Sequence, residues 1–198
     1  MADYEEPAAR LAVPPREMLH SPDIRLLGEV NEDMLQTLLS GFQEAEGGGG
    51  PVVLEITTLG GDAEIGRRIV FEIDLARERL KGRRLVFVGK TVVYSAGTTI
   101  MSAFPPEDRF LCCDAVLLIH CRQLERTIEV SGPIRASIPK IDALSEQLKL
   151  GVELEEKGFE RLIAGTDVGM DELLEKALHN WYVPAEEARK RRLVAGIF

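Results

Sequence analysis

Three short stretches carry residues suited to chemistry. Gly60-Gly61 follows an apolar run and precedes an amphipathic one. Glycines at such a place let the backbone take positive φ and come close to a ligand, and the N–H groups they free can receive an oxyanion. Tyr94-Ser95-Ala96-Gly97 delivers a serine to the start of a predicted helix, among small residues that leave room for a substrate. The Ala96 N–H would stabilise negative charge developing beside that hydroxyl. His120 closes the apolar run Ala115-Val116-Leu117-Leu118-Ile119. An imidazole there stands at the C-terminal edge of a buried strand, where ligands sit in open α/β sheets. Each stretch also has a plain structural alternative: a tight strand-to-helix turn, a capping serine, a satisfied core histidine. What sets them apart is that all three fall at strand C-termini. Together they set a hydroxyl, an imidazole and freed main-chain N–H groups at one edge of the sheet. The serine does not sit in G-x-S-x-G, which disfavours an α/β-hydrolase elbow.

The elements that must position these residues are legible from periodicity. Ile24 to Leu27 reads as a short strand, and Asn31 as the N-cap of a helix carrying Met34, Leu35, Leu38, Leu39 and Phe42. Gly47 to Gly50 stop that helix. Val52 to Thr57 is a β-branched strand, followed by a turn and by an amphipathic helix over 63–80. Arg84 to Gly89 is the next strand, Thr91 to Tyr94 is extended, and Ser95 to Ala103 is helical. Phe110 to Cys112 and Ala115 to His120 are two further strands, and Arg122 to Gly132 fits no one pattern. A long helix is predicted over 139–162, broken or kinked near Gly151 and Gly158. A helix over 170–178, a strand Trp181 to Val183 and a last helix over 185–192 complete the chain. Strands alternating with helices of this length predict a mostly parallel α/β sheet with crossover helices.

Composition bounds the function classes. Over 198 residues, 45% hydrophobic and 29% charged residues exclude wholesale disorder. Lys plus Arg is 24 against 33 Asp plus Glu, a formal charge of −9, which disfavours nucleic acid or an anionic membrane as a partner. The three cysteines, Cys112, Cys113 and Cys121, are odd in number and lack metal-ligand spacing, so reduced thiols in a cytoplasmic protein are expected. The acidic start, punctuated by Pro7, Pro14, Pro15 and Pro22, lacks the apolar core of a signal peptide; residues 1–22 are expected to be a mobile arm and 23–198 the folded unit. No apolar run approaches the ~20 residues of a membrane span.

The order of these features resembles the proteolytic subunit of the Clp ATP-dependent protease, the ClpP-like serine peptidases of the ClpP/crotonase fold. The resemblance rests on Ile24 to Gly28, Thr57 to Gly61, Ser95 to Gly97, Ile119-His120 and Tyr182 to Val194, and runs from about Ile24 to Ile197. It implies repeated ββα units with a protruding handle over about 122–165. It implies that Ser95 is the nucleophile, His120 the general base, and Gly61 and Ala96 the oxyanion-hole amides, with Gly60 shaping the turn. It further implies a polypeptide substrate, no cofactor and no metal. Its assembly would be a homo-oligomeric heptameric ring or double ring, served by an AAA+ unfoldase ATPase.

The sequence also departs from that pattern. The third triad position, Asp in the family, is Asn180. An Asn can orient an imidazole but cannot offset the charge the imidazole acquires. The turn reads Thr57-Thr58-Leu59-Gly60-Gly61 rather than Asn-Ser-Pro-Gly-Gly, and His120 is followed by Cys121-Arg122 rather than Gln-Pro. Two other functions therefore stand beside a serine endopeptidase. One is a catalytically weak or inactive ring subunit serving as scaffold or regulator. The other is a crotonase-type acyl-CoA enzyme, which would explain Gly60-Gly61 and Ala96 but gives Ser95 and His120 no joint task. Cys121 is badly placed as a rival nucleophile, since successive strand residues point to opposite faces.

Overall fold

A computed structural model describes residues 16–80, 82–124, 127 and 131–198. Residues 1–15, most of the expected arm, lie outside the described residues, as do 125, 126 and 128–130 of the segment that fitted no pattern.

The central strands form because their residues are apolar on both faces. In β2 (Val52–Thr58) every residue but Thr57 is buried, the pattern of a strand covered by helices on either side. It pairs in parallel with β1 (Ile24–Leu27) on one flank and with β3 (Leu85–Tyr94) on the other. Both crossover helices are capped by side chains, the first at the predicted Asn31 and the second at Asp62. Asn31 accepts a hydrogen bond from the Met34 N–H at 3.1 Å and opens α2 (Glu32–Ala45), whose Met34, Leu38 and Phe42 face the core. Asp62 accepts from the N–H groups of Glu64 and Ile65, at 2.7 and 3.0 Å, and opens α3 (Ala63–Arg79).

β3 is one strand of ten residues, where the sequence predicts two segments. It changes partners along its length. Phe87 to Gly89 pair with β4 (Arg109–Leu111), whereas Val92 to Tyr94 pair with β5 (Val116–Ile119). The change falls at Gly89 and Thr91. A Cβ on Gly89 would stand 2.5 Å from Leu111 Cδ2, and Thr91 has φ 53. Beyond β4 lies β7 (Gly196–Ile197), a strand not expected from the sequence; beyond β5 lies β6 (Trp181–Pro184), which pairs antiparallel to it. The sheet thus forks at β3, and the fork holds α4 (Ala96–Met101).

α1 (Arg16–His20), within the expected arm, buries Leu19 against Val53, Val86, Val88 and Phe110 on one sheet face. On the other branch, α5 (Ile134–Ile163) runs for 30 residues, about 45 Å at 1.5 Å per residue. It begins five residues before the predicted start, tolerates Pro139, and passes through Gly151 and Gly158 unbroken. Its first two-thirds are largely exposed, while Phe159 and Leu162 at its base are buried. α6 (Met170–Ala177) and α7 (Ala185–Lys190) flank β6.

Arg109 anchors the base of α5. Its side chain is 1% exposed and donates to the carbonyls of Phe104, Leu162 and Leu193 at 2.7, 2.8 and 3.2 Å. Burial pulls its guanidinium down to about 10. Arg109→Leu leaves three buried carbonyls unpaired, and at ~1–3 kcal/mol for each such group we expect a stability loss on the order of 3 kcal/mol. A urea-unfolding midpoint equal to that of the native chain would contradict this.

Candidate active site

Ser95 occupies the tip of the fork. Its N–H donates to the Leu118 carbonyl at 2.9 Å, which carries the β3–β5 ladder one residue further. Its carbonyl accepts from the Thr98 N–H at 2.9 Å and the Thr98 hydroxyl at 2.8 Å. Held at both ends, the residue takes φ 55 and ψ −118, a conformation a side chain rarely adopts. A plain capping serine has extended dihedrals and a side chain bonded into the helix. Ser95 has neither, and its hydroxyl makes no cap hydrogen bond. The turn therefore has the strained strand-to-helix geometry of a nucleophile elbow without the G-x-S-x-G sequence.

Glycines make room for it. Gly60 has φ +107, and a Cβ there would stand 2.7 Å from Ser95 Cβ and 3.2 Å from its Oγ. A Cβ on Gly97 would meet Thr58 Cγ2 at 2.5 Å. Gly61 is held by Val30: the Val30 N–H donates to the Gly60 carbonyl at 2.9 Å, and the Asp62 N–H to the Val30 carbonyl at 2.8 Å. That alternation turns the Gly61 N–H the other way. Neither it nor the Ala96 N–H donates a hydrogen bond to any described residue. Gly61, Ser95, Ala96 and His120 all line one cavity of about 700 Å³.

His120 reaches that cavity because of register. Tyr94 pairs with Leu118, so Ser95 is level with Ile119 and His120 stands one residue beyond. Ser95 and His120 share the cavity without a hydrogen bond between them, a looseness common in unliganded sites. The His120 Nδ1 lies 2.7 Å from the Cys121 carbonyl. A carbonyl only accepts, so the network assigns the proton to Nδ1 and leaves Nε2 as a free acceptor. That is the tautomer a general base needs.

Asn180 is not part of the cavity lining. Since Ile119 pairs with Trp181 in the antiparallel β5–β6 ladder, Asn180 is opposite His120 in register. Yet it is exposed, and no hydrogen bond joins it to His120. Its φ of 60 gives the residue a conformational task of its own, at the turn between α6 and β6, where its N–H meets the Ala177 carbonyl at 3.3 Å. Asn tolerates that region better than most side chains.

The far wall is α5, which sequence reasoning missed; the only signal was the spacing of Glu155, Gly158, Phe159 and Leu162 on one helical face. Arg161 fixes it to α3 by a bidentate pair with Asp74, at 2.6 and 2.7 Å, and to α4 through the Ser102 carbonyl at 3.0 Å. Glu155 accepts from the Arg122 N–H, and the Arg122 side chain pairs with Glu64 on α3. Burial, then Glu155, push the Cys121 thiol up, which keeps it protonated and a poor nucleophile. Among the described residues, no group of three or more metal-ligating side chains is assembled, and no helix is long and apolar enough to cross a membrane.

Comparison with solved structures decides the architecture. An asparagine-to-aspartate mutant of ClpP1 from Listeria monocytogenes superposes with a TM-score of 0.71, covering 92% of this chain and 94% of that one at 18% identity. The fold is ClpP-like. No family model matches the sequence, and no curated protein matches it significantly. The ClpP-like fold is thus kept at an identity where the likeness lies in strand order and backbone path.

The crowding around Gly60 gives a direct test. Gly60→Ala puts a Cβ into Ser95 at a backbone φ that disfavours any side chain. Strain and overpacking of this kind cost about 3 kcal/mol together, readable as a lowered unfolding midpoint. A variant as stable as the parent would mean that the turn around Ser95 is slack.

Proposed function

We propose that the chain is a serine-type endopeptidase of Clp type, cleaving unfolded polypeptides or peptides within an oligomeric ring. The observation that carries this reading is Ser95 in its strained turn, on one cavity with His120, whose Nδ1 meets the Cys121 carbonyl, and with two unused main-chain donors. In the reaction, the Ser95 Oγ attacks the scissile carbonyl carbon while its proton passes to His120 Nε2. The Gly61 and Ala96 N–H groups receive the oxyanion. Collapse of the tetrahedral intermediate breaks the C–N bond, and His120 returns the proton to the leaving amine. Water then repeats the sequence on the acyl-enzyme.

Assembly is supported by α5. Ile134, Ile138, Ile141, Leu148 and Val152 are exposed at spacings of three, four and seven, a seam suited to another helix. In this reading the ring is a homo-oligomer in the cytoplasm, fed by an AAA+ unfoldase. A second reading, an inactive or weak subunit acting as scaffold or regulator, is favoured by the missing acid at Asn180 and the open Ser95–His120 pair.

A fluorophosphonate probe should label Ser95, and Ser95→Ala should abolish the labelling. His120→Ala should slow it by about 10²–10⁴, the range a positioned general base contributes. Labelling that persists in Ser95→Ala would place the nucleophile elsewhere. Asn180→Asp sets a carboxylate opposite His120 and should raise short-peptide hydrolysis at least about tenfold, given the ~10⁴ that separates Asp from Asn in a trypsin-like triad. Native and Asn180→Asp chains that are both inert in an intact oligomer would favour the scaffold.

A further inference from the structure

We propose that Glu155 is a positioning residue for His120, acting through the peptide bond between Cys121 and Arg122. This rests on the serine-peptidase reading of the site and deepens it. The observation is a chain of two hydrogen bonds through a single peptide group. On one side, the Arg122 N–H donates to the Glu155 carboxylate. On the other, the Cys121 carbonyl accepts from His120 Nδ1 at 2.7 Å.

A trans peptide unit is planar, and its N–H and C=O point in opposite directions. Fixing one therefore aims the other. Glu155 holds the N–H from α5, and the carbonyl of the same unit is thereby directed at the imidazole. The strap is pinned elsewhere too. The Cys121 N–H meets the Ala177 carbonyl at 3.3 Å, and the Arg122 guanidinium pairs with Glu64 on α3. A carboxylate on the N–H also polarises the amide and makes its oxygen a stronger acceptor. The imidazolium formed when Ser95 attacks thus faces a carbonyl backed by negative charge. No proton crosses the peptide: the Ser95 proton moves to Nε2, the Nδ1 proton stays, and the Oγ electron pair forms the bond to the substrate carbon.

This arrangement answers two of the three departures in the sequence. Asn180 carries no charge, is exposed, and takes a positive φ. Arg122 stands where the resembled family has Pro, which has no N–H to give. The acidic partner of the histidine is then supplied from the handle helix, two hydrogen bonds away.

The experiment uses the full chain labelled with ¹⁵N-histidine. It has three histidines, His20, His120 and His179, so the imidazole signals can be assigned by substitution. Magic-angle-spinning NMR reads the tautomer of His120, and fluorophosphonate kinetics read Ser95. In the native chain His120 should carry its proton on Nδ1. Glu155→Ala removes the acceptor and should convert His120 to a tautomer mixture, with Ser95 labelling slowed about tenfold, a part of the 10²–10⁴ of general-base catalysis. Glu155→Gln keeps an acceptor oxygen without the charge and should keep the tautomer, with an intermediate rate. Arg122→Pro deletes the donor and should reproduce Glu155→Ala, which covers the case in which that variant fails to fold. An unchanged tautomer in both Glu155→Ala and Arg122→Pro would overturn the proposal. So would Glu155→Gln matching Glu155→Ala in both readouts, since Glu155 would then act by charge alone. A tautomer shift in Asn180→Ala with none in Glu155→Ala would give the role to Asn180. If Ser95 never labels, the peptidase reading fails, while the tautomers still decide the link.

Discussion

Ser95 sits at φ 55 and ψ −118 at the end of β3, and much of the molecule is arranged to hold it there. A side chain in that region costs on the order of 1–3 kcal/mol and persists only where its surroundings over-determine it. They do so from three directions. The Leu118 carbonyl fixes the Ser95 N–H, Thr98 fixes its carbonyl, and Gly60 leaves the space its Cβ needs. The first of these depends on β3 leaving β4 for β5 partway along. That change of partner depends in turn on Gly89, which has no room for a side chain, and on Thr91, which takes a positive φ. The strain at the site is thus set several residues upstream, in the middle of the sheet.

The second constraint is the attachment of α5. Its exposed outer part offers an apolar seam, but its base must be rigid to serve as a cavity wall. Three interactions of different kinds secure it. Phe159 and Leu162 bury apolar surface, Arg161 makes a bidentate pair with Asp74, and Arg109 gathers the Leu162 carbonyl from beneath. The Arg161–Asp74 pair is about a third exposed on each side, so it contributes direction more than energy. Arg109 is different. Its cation is sealed among carbonyls near the C-terminal ends of helices, where the local dipoles favour positive charge. Removing it would unsatisfy several backbone groups at once.

Much of this was legible in the sequence where burial writes itself as composition. The β-branched run of β2, the cap Asn31, and the helical spacing of α2 and α3 lead to the observed elements with small errors at the ends. The ClpP-like fold follows from their order. The misses have physical reasons. Pro139 looks like a helix start, yet it lies six positions inside α5, near enough to the first turn for the lost hydrogen bond to be borne. Gly151 and Gly158 look like breaks, yet each costs only about 1 kcal/mol in a helix held by its other residues. The extent of β3 was missed because Lys90 and Thr91 interrupt its apolar run. At the site, the residue types at 60, 61, 95, 96 and 120 were readable, and they do share a cavity. The backbone of Ser95, the outward turn of Asn180 and the approach of Glu155 were not, because each is set by contacts distant in sequence.

What distinguishes this cavity from a simple copy of a triad is where its negative charge lies. A serine of ordinary basicity reacts only if the imidazolium that takes its proton is stabilised as the bond forms. With Asn180 exposed and neutral, in the proposed peptidase that stabilisation would come from the Cys121 carbonyl and, behind it, Glu155. Glu155 belongs to α5, the same helix whose outer part carries the exposed seam. A partner that packs on the seam and shifts α5 along its axis would also shift the carboxylate behind the histidine's acceptor. Assembly and reactivity would then be coupled through one rigid rod. The peptidase and scaffold readings differ less in fold than in the free energy of one protonated imidazole.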